Sequence, residues 1–459
     1  MGMLALLMLA AAISLIFDRH IGDMFELPKV MLLWSVPATL LFLRLYQHSA
    51  QDIKFHRLAW FFLAMLAGFL PSIMANPDPY SAIFGSYRFY FDGLLCWLNF
   101  FLIFILAADA ATDESPKTVL SALLAVGSAL ACYALLQRTG HDPFTWNRTT
   151  ANPFSFTGNP LHLGAFMAIA INATTALILT QKRLSVRLLL TLLITTFAYI
   201  MLQTLTRSAI IGCLAGLTLQ AWMLTGCETV KAHWHRAIPL IACLAGIGIW
   251  CGLLGPWIFK DPSAVQDRLI VLISPSEGSS KARLELWDSA WKIFLDHPVL
   301  GVGMSHFEEY FWKYRSREHA LLTGERAIAL VAHNDLLQIA STTGLIGLAC
   351  YLAFLAQGTL LILRLKKQLK NDDKIAAAGL AGGLLALGVF GQFNFSGILT
   401  SSWAVLILGV LAAMDKSDSH TLHLHRYRKL TATAVTLTIL LTGSIVGIRQ
   451  YLADMFYFK

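Results

Sequence analysis

Charge is what this chain is short of. Only 14% of its 459 residues are Asp, Glu, Lys or Arg, against 56% hydrophobic, whereas globular domains run near 25% charged. A soluble architecture is excluded, and the chain reads as a polytopic membrane protein. It also lacks a nucleotide-binding glycine motif, a low-complexity tract and any soluble domain beyond one loop. Those absences argue against an ATP-driven pump. Neither half visibly repeats the other, which weakens a secondary-transporter reading. None of the seven cysteines (Cys96, Cys132, Cys213, Cys227, Cys243, Cys251, Cys350) falls in the long loop, so no disulfide framework is expected. No Asp-x-Asp or other carboxylate cluster stands ready there for a divalent cation. Neither a metal, a cofactor nor a nucleic-acid partner is expected.

What is present is a series of apolar runs of about twenty residues, the length a helix needs to cross a bilayer. They lie near 1–17, 27–46, 58–74, 93–111, 118–137, 160–180, 188–205, 208–225, 237–257, 333–363, 375–393, 398–414 and 430–448. The expected fold is an all-α bundle of about 12–13 membrane helices, one integral membrane domain over 1–459. Segment 1–17 has no basic n-region and no clear cleavage site, so it is read as a helix rather than a signal peptide.

Lys and Arg concentrate in alternate short loops: Lys54, Arg57, Lys117, Lys182, Arg183, Arg187, Lys231, Arg236, Arg364, Lys366, Lys367, Lys370, Lys374, Lys416, Arg426, Arg428 and Lys429. The positive-inside rule puts these in the cytoplasm. The segments His233-Trp234-His235-Arg236 and His423–Lys429 read as basic interfacial flanks. The 258–331 loop then lies outside, since loops that long translocate regardless of charge.

Within that loop, Leu284, Trp287, Trp291 and Phe294 recur at helical spacing. The expected helix is capped by Ser279 or Ser280, is ended by Pro298 with Gly301-Val302-Gly303, and lies along the membrane boundary. This would put Arg283 in its first turn, where a cation is disfavoured unless an anion binds beside it.

Four further stretches carry polar residues where they are costly. Thr204-Leu205-Thr206-Arg207-Ser208-Ala209 joins two apolar runs with almost no loop, which leaves Arg207 at or below the outer interface. A charge there is by default functional, with snorkelling as the plainer reading. In Gly158-Asn159-Pro160-Leu161-His162, Asn159 and Pro160 form a helix start that would attract an anion. His162 is equally readable as a packed histidine or a ligand contact. In Phe84–Gly93, aromatics flank Arg88, which suits either a sugar-facing surface or an ordinary aromatic belt. His333, Asn334, Asp335 and Gln338 open the next apolar run, followed by Ser341 and Thr342 in one stripe descending into the membrane. Thr343-Gly344 and Gly347 would permit close packing behind it. Asn394-Phe395-Ser396, like Asn147-Arg148-Thr149, matches a glycosylation pattern too short to use.

Two external guanidinium groups, Arg207 and Arg283, suit a diphosphate without a metal. One external imidazole, His333, suits proton handling near neutral pH. The alternative is that Glu308, Glu318 or Glu325 of the loop is the base and His333 holds a phosphate or hydroxyl.

With these residues in view the chain resembles the O-antigen ligase/O-antigen polymerase superfamily of bacterial envelope glycosyltransferases. The resemblance rests on Gly158-Asn159-Pro160, Thr206-Arg207-Ser208-Ala209, Arg283 with Trp287, Pro298–Gly303, and His333–Gln338 followed by Gly344 and Gly347. It covers about 155–415, and the chain departs from it in carrying His162 where many relatives have Asn. It implies a GT-C-like bundle in the bacterial inner membrane, with Arg207, Arg283 and His333 functional at a periplasmic site. The implied reaction is metal-independent, inverting transfer from a polyprenyl-diphosphate-linked glycan. The acceptor would be lipid A-core, another lipid-linked glycan or a protein hydroxyl. Arg88, Asn159, His162, Asn334, Asp335 and Gln338 are the expected substrate-binding residues. Membrane lipids are the remaining expected partners. The reading from another class is a transporter or flippase in which the arginines bind an anion and no bond breaks.

Overall fold

The computed structural model describes residues 2–46, 52–74, 78–112, 114–146, 152–228, 277–324, 327–423 and 426–457. The expected span 237–257, the start of the long loop, Cys243, Cys251, Glu325 and the flanks at His233–Arg236 and Asn147–Thr149 lie outside these residues. Twelve of the expected runs are helices: α1 (Gly2–Leu15), α2 (Glu26–Tyr46), α3 (Leu58–Met74), a short α4 (Pro79–Phe84) between runs, α5 (Leu94–Ala110), α6 (Ser115–Thr139), α7 (Pro160–Thr180), α8 (Leu184–Gln203), α9 (Arg207–Met223), α13 (Asp335–Gln368), α14 (Asn371–Gly391), α15 (Ile398–Met414) and α16 (Arg426–Tyr457). The long loop contributes α10 (Glu277–Asp296), α11 (Phe307–Tyr314) and α12 (Arg317–Thr323). Among the described residues, seven helices are long and apolar enough to cross a membrane, and four more are apolar but shorter. The five described cysteines are free.

The chain packs as two compact units. The first holds 1–115, 278–364 and 391–459. In it α5 runs along α15, where Gly409 lets the backbones meet: a Cβ there would lie 2.5 Å from the Phe104 carbonyl. Buried indoles find partners, as an apolar interior requires. Trp34 donates to Cys96 Sγ (3.2 Å) and Trp403 to Ser14 Oγ (2.9 Å). The second unit holds 116–277 and 365–390. Its centre is α7, buried along nearly its whole length. Gly212 and Gly216 of α9 meet the backbone of Ala386 and Gly382, an approach only glycine permits.

Two short strands went unforeseen. Asp52–His56 (β1) and Ser419–His423 (β2) pair antiparallel, Ile53 opposite Leu422. They close the end of the first unit where α5 finishes, the Lys54 amide donating to Asp109 (2.9 Å). Arg364, Asp415 and Asp418 form an ion-paired knot at that end.

The long helix α13 departs from the expected continuous run. Gly344 adopts φ 64°, ψ −163°, which breaks it into Asp335–Thr343 and a longer second half. The backbone groups freed by the break bind the segment 298–303. Val302 and Gly303 donate to the carbonyls of Ser341 (3.0 Å) and Thr342 (2.9 Å), and the Leu345 amide donates to Pro298 (2.7 Å). An apolar surround makes such satisfaction obligatory. A Cβ on Gly344 would lie 2.3 Å from the Val299 carbonyl, and one on Gly301 would strike Thr342. Gly344 therefore makes the break rather than merely easing packing behind a straight helix.

Candidate functional site

The head of α13 is built by its own sequence. Asn334 caps it, Oδ1 accepting from the Leu337 amide (3.0 Å), while its Nδ2 donates to the Gln392 carbonyl (2.9 Å). Gln338 is buried and fully used: Nε2 donates to Asp92 (3.0 Å) and Oε1 accepts from the Ala332 amide (2.8 Å). Asp335 accepts from the Ser396 hydroxyl (2.8 Å) and amide (3.3 Å). Ser341 and Thr342 bond back to the carbonyls of Leu337 and Gln338. The descending polar stripe thus spends its hydrogen bonds within the fold.

His333 differs from its neighbours. Held at φ 51° just ahead of the helix, it packs its ring edge-to-face on Phe395 (5.2 Å between centroids). Its Nδ1 is buried with no hydrogen-bond partner among the described residues. Burial, and then the positive charge of Arg283, push its pKa down to about 4, so the ring is a neutral imidazole near pH 7. Arg283 is half-buried and donates to Asn394 Oδ1 (3.3 Å). One turn further along α10, Trp287 faces Phe393 (6.0 Å), its buried indole N–H also without a partner among the described residues.

Two expectations for α10 are corrected. The helix already runs from Glu277, so Ser279 and Ser280 lie inside it and Arg283 is in its second turn. The argument that first-turn placement demands an anion therefore falls away. The buried stripe is Leu286, Ala290 and Ile293, packed with Val302, Phe307, Phe311 and Ala332 in a core belonging to the loop. Leu284 (59% exposed) and Trp291 (48%) of the expected stripe face outward. Two adjacent apolar stripes share this helix, and the loop core takes the one with smaller side chains.

The aromatic stretch before α5 reaches the site by its phenylalanines. Phe89 and Phe91 pack on Phe395 at 5.5 and 5.9 Å. Arg88 is exposed and turns away, donating to the Gly22 carbonyl (3.4 Å). Asp92 was not singled out in the sequence. It is buried, accepts from Gln338 and the Ser305 amide (3.3 Å), and burial raises its pKa to about 6. A lone carboxylate two residues before an apolar helix was the available signal. Of the loop glutamates, Glu308 is partly buried with its pKa raised, whereas Glu318 is exposed.

In the second unit, Arg207 is the first residue of α9 and half-buried, after a turn in which Leu205 takes φ 55°. The first turn of α7 packs directly on this turn. A Cβ on Gly164 would lie 2.8 Å from Thr204 Oγ1, 3.1 Å from Thr206 Cβ and 3.2 Å from Ala209 Cβ. Asn159 caps α7, Oδ1 accepting from the Leu161 amide (2.9 Å), with Pro160 next, as expected. His162 is packed inside (3% exposed), its ring edge-on to Phe390.

Among the described residues, His56, Asp415 and Asp418 bring three ligand-type side chains within 4.8 Å, at the strand-capped end. The Leu58 amide donates to His56 Nδ1 (3.1 Å), which leaves the other ring nitrogen protonated and facing Asp415. Arg364 already pairs with both aspartates. The guanidinium thus supplies positive charge to this group from within the fold.

The fold and site define a multi-pass, all-α membrane protein with a folded loop that supplies an arginine near the histidine just ahead of a membrane helix. Residues 168–352 match the model of the protein family described as O-Antigen ligase, which bears out the resemblance carried by the motifs. The match takes in Arg207, Arg283, Trp287 and His333–Gln338; Arg88, Asn159 and His162 lie before it. No curated protein matches the chain.

Proposed function

We propose that this protein transfers a glycan from a polyprenyl-diphosphate-linked donor to an acceptor hydroxyl at the periplasmic face of the bacterial inner membrane. Ligation of O-antigen to lipid A-core, in lipopolysaccharide biosynthesis, is the preferred reaction. The observation that carries the reading is a neutral His333, close enough to Arg283 to feel its charge, whose buried Nδ1 has no hydrogen-bond partner among the described residues. A buried nitrogen without a partner costs about 1–3 kcal/mol, which a substrate hydroxyl relieves.

In the reaction, the acceptor oxygen forms a bond to the anomeric carbon as the bond to the diphosphate oxygen breaks, with inversion. The polyprenyl diphosphate leaves with the electron pair, and the acceptor proton passes to His333 Nδ1. Arg283 meets the charge developing on the leaving group, as fixed donors do in an oxyanion site. Arg207 is the second diphosphate ligand on the sequence argument. Asn334, Asp335 and Gln338 act by holding the head of α13. Polymerase and protein-glycosylating reactions use the same donor chemistry and differ only in acceptor.

The test incubates purified protein with lipid-linked glycan and each acceptor class, without nucleotide and with EDTA. Product on lipid A-core alone supports ligation, and product on a second lipid-linked glycan or a protein redirects the assignment. Arg207→Ala and Arg283→Ala should each lose roughly ten- to over a hundredfold, the loss of a charge-assisted contact of about 1.5–3 kcal/mol. Lysine should rescue poorly, lacking the bidentate fork. Correctly inserted alanine variants that both complement a null strain would sink the proposal, and abolition by EDTA would point to a metal. Donor movement across vesicles without product would favour the transporter.

A further inference from the structure

Three consecutive residues between α14 and α15 each touch a different member of the site. Asn394 Oδ1 accepts from Arg283, Phe395 carries the ring of His333, and Ser396 donates by hydroxyl and amide to Asp335. Asn394 is fully buried. Phe395 is itself packed between Phe89 and Phe91, so its ring is not free to swing. Arg283 comes from the loop, His333 from the loop's end and Asp335 from the membrane helix. A single tripeptide in extended contact with all three fixes their spacing, which a reaction demanding sub-ångström alignment needs.

We propose that Asn394-Phe395-Ser396 is a positioning segment that sets Arg283, His333 and the head of α13 relative to one another for glycan transfer. These are positioning residues: none is placed on the substrate, and each acts through the residue it touches. The inference rests on the function proposed above, but two of its consequences can be read without turnover.

The first readout is the titration of His333, followed by NMR of ¹³C-labelled histidine in nanodiscs and assigned with His333→Gln. Phe395→Leu should move the His333 pKa upward toward the ordinary histidine range, because water enters where the aromatic ring excluded it. The second is binding of a short-chain polyprenyl diphosphate. Asn394→Ala should weaken it about tenfold, the worth of one hydrogen bond holding the guanidinium, and should add nothing in an Arg283→Ala background. In turnover, Ser396→Ala should lower kcat with KM little changed, and Ser396→Thr, which keeps the hydroxyl, should restore it. Asn394→Ser serves if the alanine variant fails to insert.

An unmoved His333 titration in Phe395→Leu overturns the proposal. So does an Asn394 effect that persists undiminished without Arg283. Wild-type protein that binds no diphosphate and transfers no glycan instead overturns the transferase reading, and the positioning role is then decided by the histidine titration.

Discussion

In the reaction proposed above His333 takes the acceptor proton, and its buried environment makes a signed prediction. Its pKa in the fold is about 4, against an ordinary value near 6.5. Between those values the unfolded chain binds a proton that the folded chain refuses, so stability falls as pH drops from about 6.5 to about 4. Thermal melts across that window should show this loss, and His333→Gln should flatten it. In catalysis a bound diphosphate raises the same pKa, so the acid limb of kcat should lie at higher pH than that of kcat/KM. A His333→Gln enzyme with wild-type rate at every pH would make His333 structural and turn attention to Glu308. Asp92 gives the opposite sign. Burial raises its pKa to about 6, so the fold carries a costly carboxylate above that pH. Asp92→Asn retains an acceptor oxygen for Gln338 and Ser305, and should raise the melting temperature at pH 8 but not at pH 3.5. At this scale the sequence drew attention to His333, Asn334, Asp335 and Gln338 because polar groups heading an apolar run are anomalous on inspection, and to Arg283 as a cation in an amphipathic loop helix. Asp92 escaped notice, and Asn394 and Ser396 stood out only as a glycosylation pattern, because their partners are remote in the chain: Gln338 lies 246 residues beyond Asp92. The stretch around Arg88 meets Phe395 through Phe89 and Phe91, while Arg88 itself donates to the Gly22 carbonyl.

Among the elements, the helices were legible wherever an apolar run was long, and their interruptions were not. Gly344 sits in a run that reads as one span, and glycine is common in membrane helices as a packing residue. The break follows from a segment that ends 41 residues earlier in the chain, which no local pattern contains. Gly344→Ala should therefore be severely destabilising. It imposes on alanine a positive-φ, extended backbone that is essentially glycine's alone, about 1–3 kcal/mol, and drives its Cβ against the Val299 carbonyl. Reduced yield and melting temperature for Gly344→Ala, beside a near-silent Gly358→Ala where nothing lies within 4 Å, would separate the two cases. A Gly344→Ala protein as stable as wild type would mean the helix runs through unbroken. The paired strands were equally hidden, since five-residue segments flanking long apolar runs read as interfacial loops.

For the whole molecule, the charge bias orders the ends of the first unit. α5, α13 and α15 each run from the His333 end to the strand-capped end, α5 spanning ~25 Å. The latter end gathers Lys54, Arg57, Arg364 and Lys416. The positive-inside rule assigns it to the cytoplasm. Single cysteines at 285 and at 372 should then react with an impermeant maleimide from opposite faces of the membrane. Labelling of position 285 from the cytoplasmic side alone would remove the periplasmic site altogether. The fastening of 298–303 into the break of α13 bears on how a bulky acceptor gains access. Lifting α10–α12 like a hatch would strip the carbonyls of Ser341 and Thr342 and the amide of Leu345 of their partners. Each would then lie unsolvated at several kcal/mol apiece in an apolar surround. The loop is thus a fixed anvil rooted in the membrane helix, and under the proposed reaction a lipid-linked donor must be brought to it by sliding in the plane of the bilayer.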